Sequence, residues 1–176
     1  MTETKTKLLR VLAIDPGYAN LGIAILDMQR GTKGVNSVRK VVFSDTLRVG
    51  DAAHPLLFAR KLIPHLNKLD EEYGPFDVIG MEGPTFIMRR VMVTALIWHV
   101  IGVLTGWAEA RKIPIRHRTP IQLKKAACFL LEKKFDQKNI PKKSDIRKAI
   151  DKLGHHPRRT NHENDAILAA FACFGI

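Results

Sequence analysis

The sequence predicts an α/β fold: a mixed five-stranded sheet, made of a three-strand meander plus two parallel strands, with helices on both faces. Three short apolar runs joined by turn-forming residues open the chain, and two later apolar runs each follow a segment of helical period. Strands that follow a helix must join the sheet in parallel through a right-handed crossover, which leaves few topologies. At 176 residues the chain has room for one core, so a single domain over 1–176 is expected.

Residues 8–14 and 21–26 are apolar runs separated by "DPGYAN", whose Pro-Gly and Asn mark a tight turn between antiparallel strands. "VRKVVFSD", 38–45, alternates well enough for a third strand. From 52 to 73 the apolar spacing is helical, with Pro55 tolerable in the first turn and Pro64 predicting a kink. "PFDVIGMEGP" is a buried strand ending at Glu82 before a Gly-Pro break. An apolar helix follows over about 88–111, then "IPIRHRT" as a fifth strand, then helices over about 120–135, 143–153 and 161–174. The stretch "VMVTALIWHVIGVLTGWA", 91–108, has about the minimum length of a membrane span. His99 at its middle and two glycines favour a buried helix, with Trp98 and His99 packed inside, and no membrane partner is expected.

The net charge of +12 is concentrated: residues 111–159 carry sixteen Lys or Arg against four Asp or Glu, and the remainder of the chain is balanced. Such a window predicts a polyanionic partner, because clustered cations gain affinity by displacing counterions condensed on phosphates. Arg116, Arg118, Lys124, Lys125, Lys142, Lys143 and Arg147 are candidate phosphate contacts. Cys128 and Cys173 sit among apolar neighbours, as buried thiols of a reducing compartment do.

Asp15 ends the first strand and Glu82 ends the fourth. A carboxylate at the end of an apolar strand is costly unless a cation or donors meet it. In "RTNHENDAILAAFACF", Thr160 and Glu163 match a capping box, so the last helix starts there and His162 and Asp165 share a face of its first turns. Glu163 then has a capping task. Asp165 opens an apolar helix that must dock on the sheet, which carries its carboxylate towards the strand ends, and the positive helix terminus is expected to favour its charged form. Carboxylate oxygens suit hard divalent cations, and two such ions about 4 Å apart clamp the attacking and leaving oxygens of a phosphodiester. Beside a basic segment, the set points to a metal-dependent phosphodiesterase.

"AIDPGYANLGIAILD", "VIGMEGPTF" and "HENDAILAA" resemble, in order, the three acidic motifs of the RuvC-type Holliday junction resolvases of the RNase H-like superfamily, phage members included. The resemblance implies a homodimer that nicks a four-way DNA junction symmetrically with Mg2+, or Mn2+, at two ions per site, leaving 5′-phosphates. On that resemblance Asp15, Glu82 and Asp165 are catalytic metal ligands, and His162 stands where many members carry another aspartate. Lys143 resembles the family's lysine near the scissile phosphate, with Arg118 or His117 as a second. Phe86 takes the place of the aromatic that wedges into the junction, with Arg89 and Arg90 beside it as DNA contacts. The apolar helix helps form the family's dimer, which makes Trp98 and Trp107 interface candidates. The expected location is the cytoplasm of a bacterial or phage-infected cell, with an organellar source left open. Two other readings remain: a nuclease of the same fold acting on branched DNA more broadly, and a catalytically silent basic module that binds DNA.

Overall fold

The alternation of the first strands divides the core in two. In β1 (Leu8–Asp15), Val11 and Ala13 point to one side of the sheet and Leu12 and Ile14 to the other, and all four are fully buried. A strand apolar on both faces must lie centrally and be covered twice. The computed structural model describes residues 8–29, 37–48, 55–83, 91–136, 140–153 and 160–175. It places β1 at the middle of a five-stranded sheet in the order β3-β2-β1-β4-β5.

β2 (Asn20–Gln29) and β3 (Ser37–Arg48) complete the meander, antiparallel to β1 and to each other. β4 (Val78–Glu82) and β5 (Ile115–Arg118) extend the other side in parallel. The expected topology is therefore found, although β2 and β3 run several residues beyond the expected bounds. They do so because the two strands pair along their whole length, from Asn20–Arg48 to Gln29–Ser37, polar positions included.

α1 (Pro55–Tyr73) and α2 (Val91–Ala110) cover one face through Phe58, Leu62, Leu66, Val100, Leu104 and Trp107. α1 continues through Pro64, whose side is exposed, so the hydrogen bond it cannot make is left to water rather than to the core. α3 (Pro120–Leu130), α4 (Lys143–Asp151) and α5 (Asn161–Phe174) cover the other face. α3 stops five residues short of expectation. Glu132 takes φ 57°, and the Lys133 amide donates to the Cys128 carbonyl at 2.9 Å, a Schellman closure made without glycine.

α2 is the largest departure inside the fold. It is long and apolar enough to cross a membrane, yet only about a third of its apolar window is buried. Trp107 is inside, donating to Asn67 Oδ1 at 2.9 Å beneath the Arg111 guanidinium. Trp98 is 55% exposed, and His99 bonds back to the Ala95 carbonyl on the exposed side. The expectation that Trp98 and His99 are packing residues is thus corrected, because α1 and the sheet reach only the opposite side of the helix.

Candidate active site

The Asp15 carboxylate is placed by the turn that follows it. The Gly17 amide donates to the Asp15 carbonyl at 2.9 Å, and a Cβ on Gly17 would stand 2.1 Å from the Asn20 carbonyl oxygen, so the chain turns tightly only with glycine there. Asp15 pairs with Gly22 of β2, which pairs with Thr46 of β3. On the other side Glu82, one step beyond the Ile14–Met81 pair, lies opposite Arg118 of β5. These residues form one row across the end of the sheet on the side covered by α5.

α5 brings in the rest. Thr160 caps it: its Oγ1 accepts from the Glu163 amide, and the Glu163 carboxylate accepts from the Thr160 amide at 3.1 Å, the reciprocal pair expected from the sequence. This sets His162 over β2 and Asp165 one turn further along. His162 Nδ1 lies 2.7 Å from Asp15 Oδ2. That bond raises the pKa of the imidazole above its ordinary value, against the opposing effect of partial burial.

The electrostatics bind the carboxylates into one group. Glu82 is raised to about 7, first by burial and then by the nearby charges of Asp15 and Asp165, with Lys124 opposing. Asp165 is raised to about 6 by burial and then by Asp15, with Lys143 and His162 opposing. Burial and the Asp15 charge set the direction for Asp165, whatever the helix terminus adds to its charged form. Carboxylates that resist ionisation on their own become a strong donor set once a divalent cation meets them, and an all-oxygen group with one imidazole fits a hard divalent ion. Among the described residues no three His, Cys, Asp or Glu side chains close into a ready-made coordination shell. The four groups share a rim instead, with Asp15 engaged to His162.

A cavity of about 390 Å³ opens beside this rim, and its lining includes Glu82 and Asp165 together with Lys124, Lys142 and Lys143. Lys143 begins α4, and Lys142 is its N-cap, its amide donating to Asp145 at 3.0 Å. Three ammonium groups around two carboxylates can hold a phosphate against the acidic rim.

Other described residues expected to meet DNA are not among those that line this cavity. Arg118 Nε donates to the Ala172 carbonyl at 2.9 Å, and Arg116 stacks over the Phe174 ring. Lys125 sits over Phe135, and Arg147 is exposed on α4. The half-exposed ring of His117 has its pKa lowered by burial. Phe86, Arg89 and Arg90 lie outside the described residues.

Three residues that sequence reasoning missed complete the site's frame. A Cβ on Gly22 would stand 2.1 Å from the His162 carbonyl oxygen, so α5 rests its first turn directly on the bare backbone of β2. Ser44 and Thr46 of β3 both hydrogen-bond the Glu163 carboxylate. A glycine inside an apolar strand is a sign of close backbone approach and could have pointed to Gly22.

No model of a protein family matches the chain. Its fold is that of RuvC from Thermus thermophilus, solved in complex with a Holliday junction substrate: the TM-score is 0.71 at 16% identity, covering 93% of this chain and 92% of that one. This is the RNase H-like fold expected from the motifs. A crossover junction endodeoxyribonuclease RuvC from Brevibacillus brevis is 27% identical over 153 residues, covering 81% of this chain and 87% of the relative. The RuvC from Thermomicrobium roseum is 30% identical over 120 residues, covering 67% of each. The chain belongs to the RuvC family of crossover junction endodeoxyribonucleases.

Proposed function

We propose that this protein is a structure-selective endonuclease that resolves four-way DNA junctions by metal-dependent, symmetrical nicking. One observation carries the reading: Asp15, Glu82, His162 and Asp165 share a rim that opens on a cavity walled by Lys124, Lys142 and Lys143. Asp15, Glu82 and Asp165 would hold the Mg2+ or Mn2+ ions, two per site, through carboxylate oxygens, and His162 would add an imidazole nitrogen. Bound divalent ions supply charge stabilisation of the phosphodiester and a water of lowered pKa at the attacking position.

The chain's own residues do the rest. Lys124, Lys142 and Lys143, which line the same cavity as Glu82 and Asp165, hold the phosphate, and no base edge is read by such contacts. Lys143 also faces Asp165 and His162, where its charge lowers the proton affinity of both. Asp15 accepts from His162 and so fixes the ring's orientation. Scission that leaves a 5′-phosphate follows from attack on the face opposite the 3′ oxygen.

Symmetrical nicking needs two sites, and α2 offers the surface for a homodimer. Val91, Met92 and Trp98 are exposed, and a groove of about 560 Å³ runs past Ala95, Trp98, His99, Gly102 and Val103. A Cβ on Gly102 or Gly106 would meet nothing within 4 Å, so a second helix can approach closely there. This reading assigns Trp98 to the interface and Trp107 to the core. It also accords with action in the cytoplasm of a bacterial or phage-infected cell, and with one domain spanning the chain.

The test is cleavage of synthetic four-way junctions, forks and linear duplexes with Mg2+. Paired nicks at symmetrical positions of the junction are expected. Equal rates on junctions and forks would broaden the function to branched DNA at large, and equal rates on linear duplex would contradict the assignment.

A further inference from the structure

Glu163 lies between His162 and Asp165 in the chain and is itself only 8% exposed. An acidic residue so placed invites assignment as one more metal ligand. Its hydrogen bonds point elsewhere. One carboxylate oxygen accepts from the Thr160 amide at 3.1 Å and from the Thr46 hydroxyl at 3.3 Å, and the other accepts from the Ser44 hydroxyl at 2.9 Å. Thr160 Oγ1 accepts from the Glu163 amide at 3.2 Å and lies 2.5 Å from Thr46 Oγ1. The donors form a closed circuit: Thr160 hydroxyl to Thr46, Thr46 hydroxyl to Glu163, Glu163 amide to Thr160. Two of the carboxylate's three donors belong to β3, the edge strand, more than a hundred residues away in sequence.

We propose that Glu163 is a positioning residue: with Ser44 and Thr46 it clamps the first turn of α5 to β3, and so sets where His162 and Asp165 present their ligating atoms. The clamp acts through hydrogen bonds, not through negative charge or coordination. Its geometry fits that task, because the same turn is pressed onto Gly22 without any intervening side chain, which leaves helix and sheet in backbone contact at His162. Gly22 stops the turn from below and the β3 hydroxyls hold it from the side. Neighbours that orient ligands in this way are commonly worth ~10–100-fold in metal affinity or activity.

The inference rests on the reading of Asp15, Glu82, His162 and Asp165 as the metal site, and three variants separate the two. In Glu163→Gln the amide oxygen can accept from Thr160 and Thr46 while its NH2 donates to Ser44, so the clamp survives without the charge. Glu163→Ala removes it. The double change Ser44→Ala with Thr46→Val removes the β3 arm and leaves the helix cap. Mn2+ binding followed by electron paramagnetic resonance, below the melting temperature of each variant, should show Glu163→Gln within about twofold of wild type and Glu163→Ala weaker by ~10-fold or more. The Ser44→Ala, Thr46→Val protein should move in the same direction as Glu163→Ala.

Equal weakening in Glu163→Gln and Glu163→Ala would overturn the proposal in favour of a ligand or charge role. Wild-type affinity in Glu163→Ala, or in the β3 variant, would reduce the contacts to ordinary capping. Amide hydrogen exchange in metal-free protein supplies a readout that needs no ion. The clamp predicts faster exchange at Glu163 and Asn164 in Glu163→Ala and in the β3 variant but not in Glu163→Gln, with Leu168 to Phe171 unchanged. Uniform behaviour of all three would count against the clamp. Should the wild type bind no Mn2+, the metal-site reading would fall while the exchange contrast still decided this one.

Discussion

Replacing Glu82 by Gln should stabilise the metal-free protein increasingly as pH rises above 4.5, with the full effect reached above about 7. The carboxyl rises from 4.5 to about 7 because burial and the charges of Asp15 and Asp165 oppose its ionisation. Folded protein therefore keeps a proton that the unfolded chain has released, so stability is fully present below pH 4.5 and falls as pH climbs through about 7. The shift corresponds to about 3 kcal/mol, and water at the rim reduces this to ~2 kcal/mol. Gln has the same shape and cannot ionise. Urea unfolding with chelator should show the two proteins within about 0.5 kcal/mol at pH 4.5 and Glu82→Gln ahead by ~2 kcal/mol at pH 8. Excess Mn2+ at pH 8 should reverse the order, since the cation stabilises the protein with the intact donor set. A difference independent of pH, or a variant weaker than wild type at pH 8 without metal, would refute the account of a rim held under like-charge tension.

Further outcomes follow from neighbouring contacts. Gly22→Ala would set a methyl 2.1 Å from the His162 carbonyl oxygen, so α5 must lift; a loss of ~1–3 kcal/mol in urea unfolding and of Mn2+ affinity is expected. Lys124→Ala and Lys143→Ala should each weaken junction binding similarly for all sequences and lower the salt dependence by ~1 in log–log slope. Trp98→Glu should shift sedimentation towards monomer, whereas a conservative change at buried Trp107 should alter stability without altering oligomeric state.

The carboxylates of this site were legible because Asp15 and Glu82 each interrupt an apolar run at a strand end, where burial without purpose is costly. The capping box announced the start of α5 and hence the register of His162 and Asp165. The frame around them was hidden for physical reasons. Ser44 and Thr46 alternate in β3 like any polar strand residues, and their role exists only once α5 lies across the sheet. Charge counting marked a basic segment but could not tell the lysines that line the cavity from Arg116 and Arg118, which turn to the end of α5. The end of α3 was invisible because Glu132 adopts the left-handed conformation that a sequence reader assigns to glycine. The packing expectation for Trp98 failed for a related reason: hydrophobicity marks α2 as apolar but does not say which of its sides the rest of the fold covers.

In the proposed function Asp15 anchors a metal-dependent site that nicks junctions. An end-labelled four-way junction incubated with Mg2+ and either wild type or Asp15→Asn tests it most directly. Wild type should give paired nicks bearing 5′-phosphates and 3′-hydroxyls, and Asp15→Asn should bind the junction yet leave it whole. Full cleavage by Asp15→Asn, or products ending in 3′-phosphates, would contradict the account.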